Sequence, residues 1–337
     1  MMKIYSTRIS YYSLLHREGK GWVFVCLLCL FVSCQSSPTL SPEEIARRDS
    51  AALHVALMPV ADCLPFYVAQ RSGIYERLGL DLRILTLQAQ LDTDTALMRG
   101  RAELAYSDLA RAIMLQQMNS TEIRAIAATE GELQLITTRK GRVRQLTGLK
   151  ERMVAVARHS ITDYWSDRLT DTAGLARADI FRPQINNVRI RTDMLCNGTM
   201  DAAFLPEPYA TEAVLRGNRQ NFSTQNLQPR LMVLLAPQWV LNDSMRCQQL
   251  RLLFQGYEEA AQALNEQRAD SVGNLLKGLC LTPDTLIDSI TRAMKHFAPL
   301  RSPEKADAEA ALAWLRERGK VRKNYNTDSL IYQFHGE

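Results

Sequence analysis

Residues 196–206 read CNGTMDAAFLP and residues 98–108 read MRGRAELAYSD. Each runs from a helical end through glycine, two residues and an acid into a strand of small side chains. Gly100 answers to Gly198, Glu103 to Asp201 and Ala105 to Ala203. A glycine just past a helix end takes the left-handed turn that stops the helix. Small residues suit a strand covered on both faces. Two such units 98 residues apart point to two halves of one plan.

The same alternation extends outward. LHVAL (53–57), DLRILTL (81–87), LAY (104–106), IRAIAAT (123–129), ELQLITT (132–138), MVAVA (153–157), NNVRI (186–190), DAAFL (201–205) and LMVLL (231–235) all read as strands. Pro65 is placed for a first helical turn, and LDTDTALMRG (91–100) reads as a helix closed by Gly100. Strands alternating with helices argue for an α/β fold with mostly parallel sheets. Beyond residue 245 the pattern is helical. Leu250, Leu253, Phe254, Tyr257, Ala261 and Leu264 form a core-facing stripe, and DAEAALAWLRERGK (307–320) forms a second amphipathic helix ended by Gly319.

The 337 residues suffice for two domains, and 46% apolar with 23% charged residues is ordinary globular composition. Of the net charge of +5, residues 1–33 hold +3, through Lys3, Arg8, Arg17 and Lys20 against Glu18. The near-neutral remainder offers no footprint for nucleic acid. WVFVCLLCLFVS (22–33) is too short to span a bilayer and matches the apolar region of a secretory signal. With the cysteine after it, LFVSC (30–34) resembles a bacterial lipoprotein signal, which implies a signal peptide over 1–33 and a lipid on Cys34. An uncleaved anchor or a plain signal peptide is the alternative. Residues 34–52 then form a polar tether. Cys63, Cys196, Cys247 and Cys280 remain and allow three pairings if oxidised, or serve as small buried hydrophobes. They contain no C-x-x-C pair and suggest no metal.

Open α/β sheets bind ligands beyond the carboxyl ends of their strands. Those ends carry Asp62, Phe66 and Tyr67; Ser107 and Asp108; Glu130; Arg158, His159, Ser160, Thr162 and Asp163; and Glu207. Glu207 sits between Pro206 and Pro208, which stiffen the backbone that presents it. It can equally be an acid at a helix start, with Pro208 as first helical residue. Ser160 and Asp163 can form a capping box, or their helix start can hold an anion. Asp62, Asp108, Glu130 and Glu207 against Arg158 and His159 argue against a small inorganic anion. Phe66, Tyr67, Tyr106, Tyr164 and Tyr209 can sandwich a flat ring, or be core. Acids with aromatics suit an amine-bearing heterocycle such as an aminopyrimidine.

VALMPVADCLPFYVAQRSGIYERLGLDL (55–82), ALMRGRAELAYSDLARAI (96–113), LCNGTMDAAFLPEPYATEA (195–213) and ALAWLRERGKV (311–321) resemble the solute-binding proteins of ABC importers for nitrate, sulfonates, taurine and thiamine pyrimidine precursors. The run Pro65, Ala69, Gly73, Gly79, Leu80 and the Pro-Glu-Pro segment carry the likeness. It implies a two-lobed periplasmic-binding-protein type II fold, α/β in class, with two crossing hinge strands near Thr137 and Leu235 and a helical C-terminal segment. Lobe one is then 53–137 plus 236–337, and lobe two 138–235. It implies ligand contacts from Asp62, Phe66, Tyr67, Ser107, Asp108, Glu130, His159, Ser160, Thr162 and Glu207. His159-Ser160 stands where many relatives carry Gly-Ser. The implied protein is a lipid-anchored monomer on the periplasmic side that hands a small solute to an ABC permease and ATPase. It needs no cofactor and does no chemistry. Alternatives are an enzyme of the same fold, like a pyrimidine-precursor synthase or a chorismate dehydratase, and a ligand-free sensory lipoprotein. The synthase's dense Cys/His run and the hydrolase motif G-x-S-x-G are both missing from the sequence.

Overall fold

The computed structural model describes residues 43, 49–118, 121–266, 272–294 and 296–334. The chain divides after residue 48, and residues 49–337 form one compact unit. Cys34, the expected signal peptide over 1–33 and most of the expected tether lie outside the described residues. Among the described residues no helix is long and apolar enough to cross a membrane.

Among the described residues, nine strands make two sheets. The first is ordered β2-β1-β3-β9-β4, from β1 (Leu53–Leu57), β2 (Leu82–Thr86), β3 (Leu104–Asp108), β4 (Ile123–Ala128) and β9 (Met232–Pro237). The second is ordered β6-β7-β5-β8, from β5 (Gln134–Thr137), β6 (Val154–Ala155), β7 (Ala202–Leu205) and β8 (Arg219–Ser223). The internal echo is structural. β3 lies parallel to β1, with Ala105 beside Ala56; β7 lies parallel to β6, with Ala203 beside Ala155. The echoed acids do the same work. Glu103 accepts the amide of His54 at 2.7 Å and Asp201 that of Met153 at 3.0 Å, each at the start of the parallel neighbour. Gly100 (φ 67°) and Gly198 (φ 83°) make the left-handed turns that let both chains re-enter a sheet.

The expectation of mostly parallel sheets is corrected. β1–β2, β1–β3 and β6–β7 are parallel, but β3–β9, β4–β9, β5–β7 and β5–β8 are antiparallel. The reason is the crossing. β5 enters the second sheet from the first and β9 returns, so each runs against the strands it joins. The chain changes sheet in segments 129–133 and 224–231, a few residues before the expected crossings near Thr137 and Leu235.

Two local readings differ as well. NNVRI is not a strand: Asn187 accepts the amide of Ile190 at 3.0 Å and caps the helix Val188–Cys196. β8 was not anticipated, because RQNFS lies at a sheet edge and is polar and half exposed. The helix Leu64–Arg71 carries Pro65 in its first turn as expected. The helix Ser244–Asn265 buries Leu250, Leu253, Tyr257, Ala261 and Leu264, while Phe254 is half-buried against Phe334. The helix Lys305–Glu317 follows, and Gly319 turns at its end. Cys63, Cys196, Cys247 and Cys280 are free thiols.

Candidate functional site

The carboxyl end of β1 leads into residues 58–62, and that of β7 into Pro206 and Glu207. Between them opens a cleft of about 690 Å³. Residues from both sheets line it, together with both crossing segments and residues 293, 294 and 296–298. A volume of that order suits a small organic solute.

Four of the expected ligand residues line this cleft: Asp62, Glu130, Thr162 and Glu207. Asp62 is held on one side. Its Oδ2 accepts from the Tyr106 hydroxyl at 2.8 Å, the Thr129 hydroxyl at 2.5 Å and the Gly131 amide at 3.0 Å. Burial pushes its carboxyl up, and those three donors oppose the rise. Glu207 is fixed by the Gln134 amide at 2.6 Å and by the Thr211 hydroxyl at 2.9 Å and amide at 3.1 Å. Burial raises its carboxyl also. Its backbone carbonyl accepts the Ala61 amide at 2.8 Å, which ties the two sheets' loops together. Pro208 serves as the N-cap of the helix Tyr209–Leu215 rather than as its first helical residue, which is Tyr209. Glu130 pairs with Arg230 at 2.5 Å.

The other six do not border the cleft. Phe66 is fully buried and stacks on Tyr257 at 4.6 Å between ring centroids. Tyr67 is buried beside it. Ser107 and Asp108 lie within β3 because that strand runs two residues further than LAY. Ser107 donates to Asp94 at 2.6 Å. Asp108 accepts from the Gln90 side chain at 2.9 Å, the Arg111 amide at 2.9 Å and the Ile161 amide at 3.0 Å. Burial pushes its carboxyl up to about 6 despite those donors and the Arg111 charge. His159 takes φ 59°, and its amide donates to Asp163 at 2.8 Å. Burial and the neighbouring Arg318 lower its imidazole. Ser160 caps the helix Ile161–Thr172 through the Thr162 amide at 3.2 Å, but the expected capping box does not form, because Asp163 accepts the amide of His159 rather than that of Ser160.

The aromatic sandwich is corrected too. Of the five expected rings only Tyr106 borders the cleft; Tyr257 and Phe297 are its other aromatic residues. Tyr164 stacks on Trp165 and Trp314, and Tyr209 is fully buried. Sequence reasoning missed Arg191, which lines the cleft from the helix Val188–Cys196. In a helical register Val188, Arg191, Thr192 and Leu195 share one face, so an arginine on an apolar face was the available signal. The strand reading of NNVRI concealed it. Among the described residues, no group of three or more His, Cys, Asp or Glu is placed to hold a metal.

Residues 60–225 match the family model described as NMT1/THI5 like. No curated protein matches the chain in sequence. Among solved structures, it is similar to the alkanesulfonate-binding protein of Xanthomonas axonopodis pv. citri bound to MOPS, at 16% identity and TM-score 0.68, over 81% of this chain and 95% of that one. It is also similar to the periplasmic nitrate-binding protein of Synechocystis PCC 6803, at 14% identity and TM-score 0.67, over 83% and 84%. A ligand-binding component of an ABC-type import system from Staphylococcus aureus matches at 12% identity and TM-score 0.67, over 84% and 96%.

Proposed function

From a chain that carries an NMT1/THI5-like domain on the periplasmic-binding-protein fold, we infer a solute-binding protein that serves an ABC importer. One observation carries this reading: a cleft of about 690 Å³ lined from both sheets by polar groups already held in place. Asp62 and Glu207 each keep their position through protein donors, so little side-chain entropy is lost when a solute arrives. Two crossing segments join the sheets, which suits closure of one half on the other around the solute. In this reading the halves are the lobes 53–137 plus 236–337 and 138–235, adjusted to the crossings at 129–133 and 224–231.

The solute carries an amine, which the acidic lining favours; an aminopyrimidine such as a thiamine precursor and an aminosulfonate both qualify. The protein binds without reacting and delivers its cargo to a permease and ATPase. A lipid on Cys34 anchors it on the periplasmic side of the cell envelope.

A thermal-shift screen of the full chain with aminopyrimidines, thiamine, riboflavin, taurine, alkanesulfonates and nitrate tests the reading. At ~100 times Kd a ligand adds about 2.7 kcal/mol of stability. A shift with one class that disappears in Glu207→Ala is expected. Silence from every class would remove the reading's support.

A further inference from the structure

Among the described residues, buried arginine side chains are paired with carboxylates, with one exception. Arg189 bonds Glu212 and Asp193, Arg246 lies 3.3 Å from Glu103, and Arg182 lies 3.4 Å from Asp167. Arg191 is only 4% exposed, yet no carboxylate lies within ion-pair distance of it among the described residues. Its Nε donates to the Phe204 carbonyl at 3.1 Å and its Nη1 to the Ile185 carbonyl at 2.8 Å. Its Nη2 has no hydrogen-bond partner among the described residues and is not sealed from solvent, and Arg191 is one of the residues that line the cleft. Burial lowers this guanidinium to about 10. A buried cation without a counter-ion is strongly disfavoured unless something supplies one.

Other places for an anion are taken. Arg230, the second arginine of the cleft, pairs with Glu130. A helix start is an ordinary anion site, but that of Ile161–Thr172 is filled from within. The Ile161 amide goes to Asp108, the Thr162 amide to the Ser160 hydroxyl and the Asp163 amide to the Ser160 carbonyl. Asp62 is the opposite half of the pattern. Three donors crowd its Oδ2, whereas Oδ1 accepts from none of the described residues and is not sealed from solvent.

We propose that the cleft takes a solute with two charged ends, a carboxylate or sulfonate on Arg191 Nη2 and an amine on Asp62 Oδ1: an amino acid or an aminosulfonate. The proposal rests on the solute-binding reading and narrows it. Arg191 reaches the cleft from a helix of the second half, and Asp62 from the loop after β1 in the first. One molecule held at both ends therefore bridges the halves and favours their closure.

Calorimetric titration of the full chain tests this with three kinds of probe. Taurine and β-alanine carry both ends; ethanesulfonate and propionate carry the acid alone; ethylamine and 4-aminopyrimidine carry the amine alone. A two-ended probe should bind about 30-fold tighter than its one-ended counterparts, the factor expected for one charged hydrogen bond. Arg191→Gln should abolish that advantage and leave amine-only probes within about 3-fold. Asp62→Asn should show the mirror pattern. Arg191→Lys, which keeps the charge, should recover part of the loss and guards against a folding defect. Suppose 4-aminopyrimidine binds wild type at least as tightly as the two-ended probes, or Arg191→Gln leaves those probes untouched. The two-ended solute is then overturned while solute binding stands. Silence from all the probes overturns the two-ended class, and the solute-binding reading then stands or falls on the thermal-shift panel, which adds thiamine, riboflavin and nitrate.

Discussion

Asp108 was expected in the ligand site and instead closes a seam inside the protein. It ends β3 of the first sheet, and its Oδ2 holds the Ile161 amide that opens a helix of the second half. Sequence reasoning placed it among the cleft acids because LAY looked complete at Tyr106. Whether a strand runs two residues further depends on the partner strand, and β9 pairs through Asp108 opposite Met232. No single segment reveals that. The seam has a pH signature. Burial raises the Asp108 carboxyl from 3.8 to about 6. A carboxyl raised on folding binds its proton better in the folded state, so stability is fully present below 3.8 and declines as pH rises through about 6. Asp108→Asn cannot ionise and escapes that decline. Relative to wild type it should gain on the order of 3 kcal/mol between those two pH values, since the other buried acids are common to both proteins. Urea melts of both proteins across this range measure the difference. A difference that stays constant with pH would rule out an ionised, buried Asp108.

Elements were legible where local chemistry decides them. The strands β1, β2, β3, β4, β5, β7 and β9 follow from alternating or continuous apolar runs, and the long helix Ser244–Asn265 from its stripe. The failures share a cause. β8 is a polar edge strand that exists only because β5 offers it a ladder, and Val188–Cys196 is a helix because Asn187 caps it. A pairing partner and a cap outweigh five residues of β-like composition. The long helix also shows a constraint that no hydrophobic pattern carries. At Gly256 an added Cβ would lie 2.3 Å from the Tyr75 ring, and the Tyr75 hydroxyl donates to the Leu253 carbonyl one turn away at 3.2 Å. Alanine is the better helix former, so an exposed Gly→Ala change would stabilise. Here overpacking should prevail, and Gly256→Ala should destabilise by about 1–3 kcal/mol. Thermal melts decide it, and an unchanged or higher Tm would show that Tyr75 can move aside.

The two sheets and the helices beside them are joined by a small set of bonds from backbone amides. The Ala61 amide donates to the Glu207 carbonyl at 2.8 Å, the Val188 amide to the Gln88 carbonyl at 3.0 Å, and the Ile161 amide to Asp108 at 3.0 Å. The C-terminal helix adds side chains to the same join: Trp314 donates to Asp167 at 2.8 Å, and Arg318 bonds Asp163 at 2.7 Å. The echo at 98–108 and 196–206 foretold a repeated unit, because both copies use the same glycine turn and acid. It could not foretell these cross-links, which join residues far apart in sequence and unlike in chemistry. If the halves open as rigid bodies about the crossings at 129–133 and 224–231, the three amides are freed by one event. Native-state hydrogen exchange should then give Ala61, Ile161 and Val188 a single opening free energy, below that of Val55 and Ala105 inside the first sheet. A two-ended solute that bridges the cleft should raise all three together and leave the sheet amides unchanged. Three unrelated opening energies would mean that the halves come apart piecemeal, and closure around a solute would lose its mechanical basis.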